Sequence, residues 1–159
     1  MDASRIRWLV MDVDGTLTDG SIFIGAEGEL MKAFHVQDGY AIAHILPSLG
    51  ITPVIITGRS SRIVETRARE LKITHLHQGI TDKLSMLKSV AADLHLHPSE
   101  IAYIGDDLND LDCMKYCGIS ACPADAVPEV LEAVDYVCKR EGGRGAVREF
   151  IGFLTRRAE

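Results

Sequence analysis

Short apolar runs that stop abruptly at a polar or acidic residue recur along this chain, and few folds accommodate them. Trp8-Leu-Val-Met11 ends at Asp12, Pro53-Val-Ile-Ile ends at Thr57, and Ile101-Ala-Tyr-Ile104 ends at Gly105-Asp106-Asp107. Ile119 to Cys122 is a fourth run; Ile73 to Leu76 and Tyr136 to Cys138 are shorter ones. Unalternated runs of this length read as strands buried on both faces. Segments of helical length separate them. Asp38 is placed to cap a helix to about Leu46, ended by Pro47 and Gly50. Ser60 or Ser61 caps a helix to Leu71, Asp82 opens one ending near Leu94, and others cover Leu108 to Tyr116 and Val127 to Ala133. A last helix begins near Ala146. These stops and starts follow capping chemistry.

Strands alternating with helices predict an α/β fold: a three-layer, Rossmann-like parallel sheet with helices on both faces. One insertion interrupts the pattern. Asp19-Gly20 is a turn signal, and Ser21 to Ile24 and Leu30 to Phe34 flank Gly25-Ala-Glu-Gly28, so a β-hairpin at about 20–36 follows the first strand. A length of 159 residues, 47% of them hydrophobic, suits a single domain over 1–159.

Charge and cysteine usage narrow the partners. A net charge of -6 with scattered Lys and Arg argues against nucleic acid. No run reaches membrane-spanning length, and Met1 to Gly15 does not resemble a secretory signal. Cys113, Cys117, Cys122 and Cys138 form no C-x-x-C pair, and His75-x-His77 and His95-x-His97 have no nearby acidic partner, so zinc is not expected. Free thiols suit a reducing, cytoplasmic setting.

In such a sheet ligands sit beyond the carboxyl ends of the strands. The residues there are Asp12 and Asp14, Thr57 and Arg59, and Asp106, Asp107 and Asp110, with Lys83 at a helix start. Clustered carboxylates with little sulfur or imidazole suit a hard cation, Mg²⁺ in particular. A Lys and a Thr beside them suit a phosphate bridged to that cation. An Asp can act as nucleophile and carry the phosphoryl group, and a second acid two residues on can move the protons.

These residues resemble a known family. D-x-D-G-T at Asp12 to Thr16, hydrophobic-T-G at Ile56 to Gly58, Lys83, and G-D-D-x-x-D at Gly105 to Asp110 look like the four motifs of the haloacid dehalogenase superfamily, in the right order. KAFHVQDGYAI from Lys32, ITGRSSRIVETR from Ile56, ITHLHQG from Ile73 and GGRGAVRE from Gly142 are similar to the 3-deoxy-D-manno-octulosonate 8-phosphate phosphatases. That resemblance implies Asp12 as nucleophile and Asp14 as general acid/base. Mg²⁺ would be held by Asp12, by the backbone carbonyl of Asp14 and by Asp106. Thr57 and Lys83 would hold phosphoryl oxygens, and Gly58, Asp107 and Asp110 would support the site from behind. Substrate contacts would come from His35, Val36, Gln37, Asp38, Gly39, Arg59, Arg67 and Lys83. The pattern departs from the family at His35, Gln37 and Ala43, where relatives usually carry Asn, Arg and Arg. A nine-carbon keto-deoxy sugar acid 9-phosphate is therefore an alternative substrate.

The resemblance also implies the absence of a cap domain and a homotetramer built through the hairpin, with Ile22, Phe23, Ile24, Leu30 and Phe34 as its apolar groups. The loop Gly142 to Ala146 would reach over a neighbouring site with Arg144 near the substrate. Two other classes stay open. A receiver module shares the fold and an Mg²⁺-bound Asp but lacks the second acid of D-x-D. A non-catalytic tetrameric scaffold would keep the fold and release no phosphate.

Overall fold

A computed structural model describes residues 3–158 of the chain; Met1, Asp2 and Glu159, included in the expected domain, lie outside it. Six parallel strands form the central sheet: β1 (Trp8–Met11), β4 (Thr52–Ile56), β5 (His75–His77), β6 (Ile101–Ile104), β7 (Ile119–Cys122) and β8 (Tyr136–Val137). Their spatial order is β5-β4-β1-β6-β7-β8, so β1 lies inside the sheet with β4 and β6 as neighbours. A separate antiparallel hairpin joins β2 (Phe23–Gly25) to β3 (Gly28–Met31). The helices are α1 (Val36–Tyr40), α2 (Leu46–Ser48), α3 (Arg62–Glu70), α4 (Lys83–Asp93), α5 (Leu111–Tyr116), α6 (Pro128–Leu131) and α7 (Ala146–Ala158).

Strand residues alternate between two cores. Leu9, Met11, Ile55, Ala102 and Ile104 pack with Ile42, Leu46, Val64, Phe150 and Ile151 on one face. Trp8, Val10, Val54, Ile56, Ile101 and Tyr103 pack with Leu87, Ala91, Met114 and Val130 on the other. The period of two along a strand turns successive side chains to opposite faces, and helices cover both. The three-layer expectation holds.

Several boundaries differ from the sequence reading, each for a local reason. The helix expected to end before Pro47 continues from α1 through a π-helical stretch (Ala41–Ile45) into α2, and Gly50 ends it at φ +69°. Pro47 offers no N–H to the ladder, and the wider π turn lies immediately before it. β5 was expected at Ile73 to Leu76. Ile73 instead closes α3, its N–H donating to Ala68 O (2.8 Å) while Lys72 adopts φ +59°. That is the six-to-one closure of a Schellman motif, which removes Ile73 from the strand. Ser61, rather than Ser60, caps α3, accepting from Ile63 N and Val64 N. Asp82 caps α4 as expected, through Ser85 N at 2.9 Å.

Asp38 does not cap its own helix. It is 2% exposed, and its Oδ1 accepts from Arg148 N at 2.7 Å in the first turn of α7. The hairpin leaves Phe23, Ile24, Leu30 and Met31 exposed, Ile24 and Leu30 by more than 60%. Phe34 belongs elsewhere: it packs on the core beneath the Arg67 guanidinium, 5.6 Å from its ring centre. Asp19 shapes the turn into the hairpin through Ser21 N (2.9 Å). Among the described residues no further domain stands between β1 and α1, and no helix is long and apolar enough to cross a membrane.

Candidate active site

β1 delivers Asp12 to the carboxyl edge of the sheet. Its N–H donates to Ile104 O at 3.0 Å, so it extends the ladder by one residue before the chain turns. The turn is tight: Thr16, Leu17 and Thr18 all donate N–H to the Val13 carbonyl. Gly15 holds φ +96° there, a conformation that favours glycine. Thr16 Oγ1 donates to Asp106 Oδ1 at 3.0 Å, tying this turn to the end of β6. Thr57 follows β4 and is 2% exposed.

Lys83 opens α4 and points into the acids with its side chain 1% exposed. Its ammonium lies 2.9 Å from Asp12 Oδ1 and 2.8 Å from Asp110 Oδ1. Asp110 is fully buried and heavily bonded: Tyr103 Oη donates to Oδ1 (2.6 Å), and the N–H groups of Asp106 and Asp107 donate to Oδ2. Asp110 therefore fixes Lys83 and closes the β6 loop. Gly105 is required beneath it, since a Cβ there would lie 2.4 Å from Asp110 Cγ. Tyr103 escaped the sequence reading. A tyrosine inside an apolar strand was the available signal, because a buried phenol needs a partner.

Asp12, Asp106 and Asp110 each bring a carboxylate oxygen within 4.8 Å of the others. Burial, and then the charge of Asp110, lift the Asp12 carboxyl to about 6 despite Lys83 beside it. Burial, and then Asp12, lift Asp106 to about 8. Three acids against one ammonium leave two negative charges when all are ionised. A divalent, oxygen-seeking cation fits that deficit and that donor set. Asp110 already has both oxygens engaged, so Asp12 and Asp106 are the acids free to hold a cation.

The Asp14 carboxylate is not part of this cluster. Its Oδ1 is bonded to Lys32 Nζ, and its Oδ2 lies 3.8 Å from Arg59 Nε. Glu29 of the hairpin joins the same group, with Oε1 at 2.9 Å from Lys32 and 3.7 Å from Arg59, and Oε2 accepting from Ser61 Oγ. Lys32 and Glu29 were missed: a Lys and a Glu in a hairpin look solvated, and only the folded register turns them inward.

Asp12, Asp14, Thr57, Gly58, Arg59, Asp107 and Asn109 line one open pocket of about 180 Å³. Asp107 is exposed and caps the short turn after β6 through Leu108 N (2.7 Å). The other expected substrate contacts lie apart from this opening. His35, Asp38, Gly39 and Arg67 line a separate small space of about 10 Å³, and Val36 lines a groove with Phe34, Arg62 and Arg67. Val36 and Gln37 are exposed. Arg67 is paired with Glu70 at 2.8 Å. The loop from Gly142 to Ala146 is bonded to its own chain. Gly143 N donates to Thr16 O (3.0 Å), Gly142 N to Asp125 Oδ1 (2.9 Å), and Arg144 lies 3.8 Å from Asp19.

Residues 76–151 match the model of the haloacid dehalogenase-like hydrolase family. The 3-deoxy-D-manno-octulosonate 8-phosphate phosphatase of Yersinia pestis is 48% identical over 147 residues, 92% of this chain and 78% of that protein. Among solved structures, the same phosphatase of Moraxella catarrhalis, in complex with a magnesium ion, a phosphate ion and a KDO molecule, superposes with TM-score 0.93. It is 41% identical, covering 98% of this chain and 88% of that one. The cobalt-bound phosphatase of Haemophilus influenzae superposes with TM-score 0.94 at 34% identity, covering 99% and 92%. A converging site of acids, Lys83 and Thr57 at the carboxyl edge of a parallel sheet, with relatives this near over most of the chain, identifies the protein as a phosphatase that belongs to the 3-deoxy-D-manno-octulosonate 8-phosphate phosphatase family of haloacid dehalogenase-like hydrolases.

Proposed function

We propose that this chain hydrolyses 3-deoxy-D-manno-octulosonate 8-phosphate through an aspartyl-phosphate on Asp12, with Mg²⁺ held by Asp12, Asp106 and the backbone carbonyl of Asp14. The observation that carries the reading is the buried contact of Lys83 with Asp12 (2.9 Å) beside Asp106, at the mouth shared with Thr57 and Asp14. When bound, Mg²⁺ supplies charge neutralisation for the phosphoryl oxygens. The rest falls to the chain's own residues. An Asp12 oxygen attacks phosphorus, and the bond from phosphorus to the sugar oxygen breaks. Asp14 gives its proton to that oxygen, and the sugar acid leaves as an alcohol. Asp14 then takes a proton from water as the water oxygen attacks phosphorus. The bond to Asp12 breaks, phosphate leaves, and Asp12 is restored.

Lys83 and Thr57 hold phosphoryl oxygens, with Gly58 letting the chain approach and Asp107 and Asp110 supporting the site. Arg59, with its side chain 48% exposed beside the pocket, suits the sugar-acid carboxylate through paired hydrogen bonds. His35, Val36, Gln37, Asp38, Gly39 and Arg67 shape the adjoining face. The exposed apolar hairpin supports a homotetramer assembled through it, since two strands alone bury little. Free thiols suit a cytoplasmic enzyme.

The test is phosphate release from the eight-carbon and nine-carbon keto-deoxy sugar acid phosphates, hexose phosphates and p-nitrophenyl phosphate, each with Mg²⁺. Preference for the eight-carbon acid, its loss on chelation and its absence in Asp12→Asn are the expected results. Preference for the nine-carbon acid reassigns the substrate. No release at all leaves a scaffold.

A further inference from the structure

We propose that Lys32, the residue after the hairpin strand β3, is a positioning residue for Asp14: it fixes the proton-transferring carboxylate from outside the catalytic loop. The proposal rests on the reading of Asp14 as the acid/base.

A Lys side chain is rarely withdrawn from water unless it is paired. That of Lys32 is 1% exposed although most of the hairpin around it is open to solvent. Its ammonium is bonded to Asp14 Oδ1 and lies 2.9 Å from Glu29 Oε1. Glu29 is anchored in turn by Ser61 Oγ, the cap of α3, and by Arg59 at 3.7 Å. The ammonium is therefore located by groups from β3, the loop after β4 and the start of α3, and it hands that location to one oxygen of Asp14. The other oxygen faces Arg59 Nε at 3.8 Å.

Asp14 needs such help. It lies on the loop between β1 and Gly15, 18% exposed, and it is left out of the Lys83 and Asp110 contacts that hold Asp12. A carboxylate that must first face a leaving oxygen and then a water requires a fixed plane, because small misplacements are expensive in rate. A contact that acts only through that plane affects the chemical step more than substrate binding.

The experiment replaces Lys32 by Cys in the full chain and measures steady-state kinetics and thermal midpoint before and after aminoethylation with 2-bromoethylamine, which rebuilds a Lys-like side chain. Wild-type protein treated identically controls for reaction at Cys117. The expected result is a fall in kcat of about 10²-fold, the usual size of an acid–base contribution. KM should stay within about threefold, as for an interaction made in the transition state. Aminoethylation should restore kcat. Wild-type kcat in the folded Cys variant overturns the proposal, and so does a loss that aminoethylation leaves unchanged in folded protein. If the Cys variant does not fold, Lys32→Met, which keeps the length of the side chain but donates no hydrogen bond, takes its place, and wild-type kcat there is equally fatal. Inactive wild-type protein would instead remove the phosphatase reading itself, so the two failures are distinct.

Discussion

Gly15 stands directly against Asp106: a Cβ on Gly15 would lie 2.1 Å from Asp106 Oδ2. The turn after β1 and the loop after β6 approach so closely that one side chain has to be missing. Gly15→Ala should displace the Asp106 carboxylate and lower turnover by about 10²-fold, the scale of a misplacement near one ångström. It should also lower stability by about 1–2 kcal/mol, since φ +96° is costly for any residue with a Cβ. Kinetics and urea unfolding of the variant check both. Wild-type turnover would mean that Asp106 tolerates relocation.

Lys83 neutralises two buried acids at once. Lys83→Met should destabilise the protein by about 3–5 kcal/mol, the usual effect of stripping the partner from a buried charge. Asp110→Asn in the same chain should recover part of that loss, because one of the stranded charges is removed. A double-mutant cycle by denaturant unfolding is the measurement. Strictly additive effects would contradict the contact.

Protons and Mg²⁺ compete for the acid cluster. In the metal-free protein Asp12 is lifted to about 6 and Asp106 to about 8, chiefly by burial. A raised carboxyl means that the folded state binds more protons than the unfolded chain, so stability falls as pH rises. From an ordinary value of 3.8, that penalty grows up to about pH 6 for Asp12 and about pH 8 for Asp106. Mg²⁺ takes the ionised form, so its affinity should rise over the same range. Thermal midpoints with and without Mg²⁺ at pH 6 and pH 8 should show the larger metal-induced shift at pH 8. Equal shifts would rule out the linkage.

Asp38 acts at a distance on the last helix. Asp38→Ala removes the acceptor from Arg148 N and should cost about 1 kcal/mol, the typical value of a lost cap. Asp38→Asn keeps an acceptor oxygen and should lose less. Urea midpoints of the two variants, compared with wild type, decide it.

The strands β1, β6 and β7 and the convergence of Asp12, Thr57, Lys83 and Asp106 were legible because they rest on local signals. An apolar run marks a buried strand, and the sheet topology then carries its end to a common edge. What was not legible depends on contacts distant in sequence. Nothing around Asp38 says that its oxygen meets Arg148, and nothing around Lys32 says that it meets Asp14. The Schellman closure at Lys72 was hidden for another reason: the left-handed position is filled by lysine, where glycine would have marked it. Leu94 ends α4 the same way, with His95 at φ +55° and Leu96 N donating to Ala91 O (2.9 Å).

The packing of Gly142 and Gly143 on the catalytic turn has a consequence for how the protein is made. A Cβ at Gly142 would lie 1.9 Å from Gly15 O, and Gly143 N bonds Thr16 O. The turn after β1 thus leaves the ribosome well before the loop at Gly142 and Gly143 and waits for it before it has its full set of neighbours. A nascent or truncated chain that stops short of Gly142 carries Asp12 and Asp14 on a turn without that backing, so the reaction centre is complete only once synthesis has passed Gly143.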